Sequence, residues 1–203
     1  MPTDSCGDFM TEQILGAPRQ ITSPIRPWYV VASVVALAAM VIAIEFGSNW
    51  VLNFVHVMCG GLWTGIDLFM GFVIGPILRR LPLEARRAVI SALVPRTLFL
   101  MPTLSIITAT SGWFLAERTG FLDLNYPEFW WVVASLVIVA VLTVQGLGYL
   151  LPANLRIYFE LQKPTPNLAM VARWMRVYFG VVASQGAMQV AIIIVMARFA
   201  TGL

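Results

Sequence analysis

The sequence predicts an all-α, polytopic membrane protein: a five-transmembrane-helix bundle with its N-terminus in the cytoplasm and its C-terminus in the periplasm. Three observations predict it. Hydrophobic residues make up 59% of the 203 residues and charged residues 11%, less than half of the roughly 25% found in soluble domains. The apolar residues fall into five runs, each near the ~20 residues needed to cross a bilayer. The basic residues gather on alternate links between those runs.

Residues 1–27 carry Asp4, Asp8 and Glu12 and no apolar core of the length a cleavable signal peptide needs. They are expected to form a polar cytoplasmic tail. The first span covers about residues 28–46. Only Gly47, Ser48 and Asn49 separate it from the second, about residues 50–78, so the two form a tight helical hairpin. The second run is long enough to tilt or protrude. Residues 81–95 read as an interfacial helix, with arginines toward headgroups and Val89, Ile90, Leu93 and Val94 toward acyl chains. Pro95 is expected to end it. The third span covers about 97–117 and the fourth about 129–150, with a cytoplasmic helical extension after Pro152. The fifth covers about 175–200.

Orientation follows from the basic residues, which favour the cytoplasmic side. Arg19 and Arg26 precede the first span. Arg79, Arg80, Arg86, Arg87 and Arg96 follow the second, and Arg156, Lys163, Arg173 and Arg176 lie between the fourth and fifth. These eleven of thirteen basic residues share one side; Arg118 and Arg198 fall on the other. Tryptophan prefers the interfaces, and Trp28 and Trp174 fall at the cytoplasmic ends. Trp50, Trp113, Trp130 and Trp131 fall at outer ends, and Trp63 alone lies mid-span. A bacterial inner membrane is the expected location.

Several functions are excluded. The net charge of +3 does not imply nucleic acid, because the basic residues sit at span ends. Cys6 and Cys59 cannot form a disulfide framework. There is no Walker sequence, GxSxG, HExxH or CxxC.

The chemistry-bearing residues lie on the second span. His56 is the only histidine. Residues three or four apart share a helix face, which aligns His56 with Cys59, Gly60, Trp63, Asp67 and Met70. Ionisable groups at membrane depth are costly and point to function. Imidazole ligates haem or copper, and Gly60, one turn away, would leave room for a flat ring. Met101 or Met188, in other spans, would supply a second axial ligand. His56, Cys59 and Met70 form a candidate metal set. The alternative is a histidine hydrogen-bonded to a neighbouring helix. Asp67 is expected either to pair with Arg96 or to transfer protons. Gln185 and Gln189, with Gln145, are expected to bond between helices or to line a quinone or lipid pocket. Gly61 with Gly65, Gly71 with Gly75, and Gly180 with Ser184 and Ala187 form small faces suited to close helix packing.

Residues 56–82, HVMCGGLWTGIDLFMGFVIGPILRRLP, resemble the membrane domain of CopD-type copper-resistance proteins and related bacterial integral membrane families. More distantly they are similar to the HemJ type of protoporphyrinogen oxidase. The resemblance implies that His56 is the family histidine, with Gly60, Trp63 and Gly65 around it. Those families carry further histidines or a lysine partner in other spans; this chain has neither. Two functions are therefore expected. One is a non-catalytic subunit that anchors or stabilises a larger redox or respiratory complex in the membrane, with other membrane subunits as partners. The other is a redox or metal protein binding haem b or copper through His56.

Overall fold

A computed structural model describes residues 24–202. Most of the expected tail, including Cys6 and Arg19, lies outside the described residues. The described chain is helical, with no strand, and five helices are long and apolar enough to cross a membrane: α1 Pro27–Phe46, α2 Asn49–Arg80, α3 Leu83–Arg118, α4 Phe129–Gln162 and α5 Leu168–Ala200. Helix α2 lies along α3, and α1 packs on α3 as well, with Met40 and Ile44 of α1 and Leu52 of α2 meeting at Ile107. Helix α5 packs against α4 and α2, and the end of α4 returns to α3.

The hairpin between α1 and α2 is set by three local contacts. The Gly47 N–H donates to Ala43 O at 3.1 Å. A Cβ at Gly47 would sit 2.4 Å from that same oxygen, so only glycine closes this end. Arg118 of α3 donates to Gly47 O at 2.9 Å and also to Ile44 O, placing a cation at the negative end of α1. Ser48 then caps α2, its Oγ accepting from Val51 N–H. The one basic residue between the third and fourth spans is thus a helix cap.

Two helices are interrupted in the same way. In α2, Met70–Ile74 form a π-helical turn ahead of Gly75 and Pro76. In α4, Val144–Leu150 do so ahead of Leu151 and Pro152. In both, proline stands two residues past the last π residue. A proline inside a helix lacks an N–H and clashes with the carbonyl four residues back. Widening the preceding turn relieves that clash without ending the helix.

Pro95 does not end a separate interfacial helix. It lies inside α3, as does Pro102, and the helix runs unbroken over 36 residues. Breaking it would free several backbone groups in an apolar layer, which costs more than tolerating two prolines. Hydroxyls on α3 bond back to its own backbone, as Thr97 does to Leu93 O and Thr103 to Phe99 O. One face of its first turns is buried in the bundle: Ile90 and Val94 pack with Leu78 of α2, Ile157 and Tyr158 of α4 and Val171 of α5, while Glu84, Ala88 and Ser91 are exposed.

Helix α5 starts earlier than expected, at Leu168, because Asn167 caps it by accepting from Met170 N–H at 3.0 Å. Glu160 ties the preceding link. Its Oε1 accepts from Asn167 N–H at 3.0 Å and its Oε2 meets Lys163 Nζ at 2.6 Å. At 1.5 Å per residue, the 34 residues of α4 extend about 50 Å, beyond a hydrocarbon core of about 30 Å. Glu160 falls beyond the apolar stretch 129–150 that the sequence reads as the fourth span. The Lys163 ammonium and the Asn167 amide hold its carboxyl below the usual range. Large apolar side chains such as Val35, Phe54, Phe72, Val144 and Ile194 face outward, as lipid contact requires.

Candidate functional site

A cavity of ≈ 150 Å³ opens between α2, α3, α4 and α5. Both π turns line it: Met70, Gly71 and Ile74 from α2, and Gly146, Leu147 and Leu150 from α4. An engineered apolar cavity of about this volume accepts a benzene ring. Close approach of α5 shapes one wall. A Cβ on Gly71 would meet Val182 at 3.0 Å, and one on Gly75 would meet Phe179 at 2.8 Å. The Gly71 and Gly75 face is thus a packing surface, as its spacing predicts. Gly61 and Gly65 meet nothing within 4 Å of an added Cβ and are exposed on the outside of the bundle.

The cavity lining is mostly apolar, with polar side chains from all four helices: Asp67 from α2, Ser105 from α3, Thr143 and Asn154 from α4, and Tyr178 and Gln185 from α5. The Gln189 amide Nε2 donates to Asp67 Oδ2 at 2.6 Å, and Trp63 lines the cavity with Asp67. Gln185 Nε2 donates to Leu142 O at 3.2 Å and Gln145 Nε2 to Ser184 Oγ at 3.2 Å. All three glutamines bond between helices. Also in the lining, Asn154 Nδ2 donates to Tyr178 Oη at 3.3 Å.

Arg96 is not the partner of Asp67. Its guanidinium is exposed and donates to Ala92 O of its own helix. The serines and threonines of α3 do not reach Asp67 either; Thr103, Ser105 and Ser111 donate to carbonyls of α3. A short hydroxyl in a helix satisfies itself locally before it reaches another helix.

His56 occupies a different environment. Its Nδ1 lies 2.9 Å from Thr108 O and 3.5 Å from Ser111 Oγ, both on α3. The glycine that makes room for the ring is Gly112 of α3, where a Cβ would fall 2.6 Å from His56 Cε1. Gly60 faces Thr108 instead, with a Cβ position 3.2 Å from Thr108 Cγ2. Neither His56 nor Gly60 lines the cavity. The space beside Gly60 is filled by a side chain, so it does not cradle a macrocycle.

The metal set is not brought together. His56 and Met70 share a stripe but stand fourteen residues apart, about 21 Å along the helix, whereas ligands to one metal lie within about 2.3 Å of it. Cys59 packs beside Leu52 and Trp63, and Met188 and Met101 pack around Trp63, Leu104 and Leu142. Among the described residues no three His, Cys, Asp or Glu side chains converge as a metal site. Among the described residues, His56, Cys59 and Met70 do not converge on one point as a shared metal would need.

Asn154, Tyr178 and Gly112 are absent from the residues singled out in the sequence. The signal that points to the cavity is the pair of Gly-Pro-interrupted hydrophobic segments at Gly71–Pro76 and Gly146–Pro152. Broken apolar segments of this kind mark intramembrane binding sites. Comparison with family models, curated proteins and solved structures gave no match to this chain.

Proposed function

We propose that this protein is a polytopic inner-membrane subunit that holds a lipid-soluble molecule with a ring-sized, hydrogen-bonding head in the cavity between α2, α3, α4 and α5. The observation that carries this reading is the cavity itself: mostly apolar, with the Asp67 carboxyl in its lining and two π turns contributing to its walls. Membrane ligand sites pair mostly apolar walls with a few placed polar groups, and π turns recur at functional sites. Asp67 joins α2 to α5 through Gln189 and also lines the cavity, so it can meet a ligand there. The basic links favour an N-terminus in the cytoplasm; with that orientation the cavity would face the cytoplasmic half of the bilayer.

The reading is tested by purifying the protein in mild detergent and identifying retained lipid-soluble molecules by mass spectrometry. One ring-bearing species at near-equimolar amount is expected. Ser105→Phe, which fills the cavity from α3, should remove it while the bundle still folds. Retention unchanged by Ser105→Phe would overturn the reading.

A second reading has its own observation. Gly61 and Gly65 form an open small-residue face on the outside of α2, the kind of face that lets another helix approach closely. It supports a role as an anchoring subunit of a larger redox assembly. Isolation of the intact membrane complex tests it: a stoichiometric partner lost on Gly61→Leu supports it, and a monomer throughout contradicts it.

A further inference from the structure

A groove at the basic end of the bundle lies apart from the cavity between the π turns. It forms where α3 begins, α4 ends and α5 begins. Leu83 and Arg86 of α3, Leu161 of α4, and Leu168, Val171 and Ala172 of α5 line it. Leu161 and Val171 belong to the buried cluster that closes this end of the bundle, and Leu83 and Trp174 pack against that cluster. Tryptophan favours the bilayer interface, which sets the groove at headgroup level. Leu168 is 48% exposed, so the described chain leaves the mouth of the groove open.

Arg86 is the one polar residue in that lining, and its guanidinium is held in place. Nη2 donates to Arg79 O at 3.0 Å and to Leu81 O at 3.2 Å. Nε is buried and meets no acceptor among the described residues. An unmet donor on a buried charged group is costly, and a planar guanidinium suits a phosphate. The surrounding charge has the same sign: Arg79, Arg80, Arg173 and Arg176, on the adjoining turns of α2 and α5, are exposed. The acidic residues on these segments are already paired, Glu84 with Arg87 at 3.3 Å and Glu160 with Lys163 at 2.6 Å.

We propose that this groove is a binding site for an anionic phospholipid. The phosphate meets Arg86, and the glycerol and first methylenes lie on Leu83, Leu161, Leu168 and Val171. Charge complementarity selects the headgroup, and the apolar walls select a lipid over a free phosphate. Basic pockets between helix ends take anionic headgroups in this way, and each basic side chain contributes about fivefold in binding. The site does not depend on what the cavity between the π turns holds.

The test uses the full-length protein in mild detergent, titrated with dioleoyl phosphatidylglycerol and with dioleoyl phosphatidylcholine. Bound lipids are counted by native mass spectrometry. Phosphatidylglycerol should fill one site at least about fivefold more tightly than phosphatidylcholine, with a preference that shrinks as salt rises. Arg86→Gln should lower its affinity about fivefold. That variant also loses the brace to Arg79 and Leu81, so Leu168→Glu serves as a second probe. An acid at the first residue of α5 suits the helix N-terminus but repels the phosphate, and should remove the preference. Arg198→Gln, at the opposite end of α5, should leave it unchanged. Circular dichroism of each variant checks that the helices are retained. Equal affinity for the two lipids, or a preference unmoved by Arg86→Gln or by Leu168→Glu, would overturn the proposal. Displacement of the bound lipid by glycerol phosphate would also overturn it, by assigning the groove to a soluble phosphate.

Discussion

The His56 contact with Gly112 gives a prediction whose sign reverses with background. Gly112→Ala would place a Cβ 2.6 Å from His56 Cε1 and 2.9 Å from Nδ1, well inside the 3.4 Å at which ordinary contact begins. The imidazole must move, and its hydrogen bond to Thr108 O at 2.9 Å is lost. Overpacking of this kind costs about 1–3 kcal/mol, and the lost interhelical hydrogen bond adds about 0.6 kcal/mol on average. Replacing a helical glycine by alanine returns about 1 kcal/mol. The net expectation is destabilisation of about 1–2 kcal/mol. Once His56 is alanine, the overlap vanishes and only the propensity gain remains, so Gly112→Ala should then stabilise by up to about 1 kcal/mol. The assay is equilibrium unfolding in mixed micelles, followed by helical circular dichroism, across the four-member cycle. A cost for Gly112→Ala that is the same in both backgrounds would refute the claim that the histidine ring fills this glycine.

The same assay separates glycines that touch a neighbour from those that do not. Gly75→Ala meets Phe179 at 2.8 Å, beneath the Arg79 guanidinium that lies 4.1 Å from the ring centroid, and should cost about 1–3 kcal/mol. Gly61→Ala and Gly65→Ala meet nothing within 4 Å and should be neutral or stabilising by up to about 1 kcal/mol. For Glu160, the folded carboxyl titrates lower than its unfolded value, which is about 4.3 for a free glutamate. Its contribution is therefore fully present above that value and fades as pH falls through the folded one. Glu160→Gln should lower stability at neutral pH and flatten the acid limb, and an unchanged acid limb would contradict the role given to Lys163 and Asn167.

The five spans were legible because length and apolar content are all that a bilayer demands of a helix. The paired glycines Gly71 and Gly75 were legible as a packing face for the same kind of reason. Gly61 and Gly65 have identical spacing, yet they face outward, because spacing reports a face and not what covers it. The stripe from His56 to Met70 failed on the same ground. A helical wheel discards the rise along the axis, and residues on one face can be 20 Å apart. Pro95 misled because its cost in water was applied where the alternative is exposed backbone in an apolar layer. Arg96 and Asp67 attract on paper, but α3 carries the arginine outward, and an amide on α5 reaches the carboxylate first. Asn154 and Tyr178 lie on successive helices, 24 residues apart, and no local pattern joins them.

The central claim is that the space between the two π turns holds a ring-bearing lipid. Photo-labelling tests it most directly. A decyl-substituted benzoquinol with a diazirine on the ring is bound in nanodiscs, irradiated and mapped by peptide mass spectrometry. The account predicts labels on Met70 to Gly75 of α2 and on Tyr178 to Val182 of α5, competed by unlabelled quinol and lost in Ser105→Phe. Labels confined to outward-facing residues such as Phe54, Leu62 or Ile194, and not competed, would contradict it.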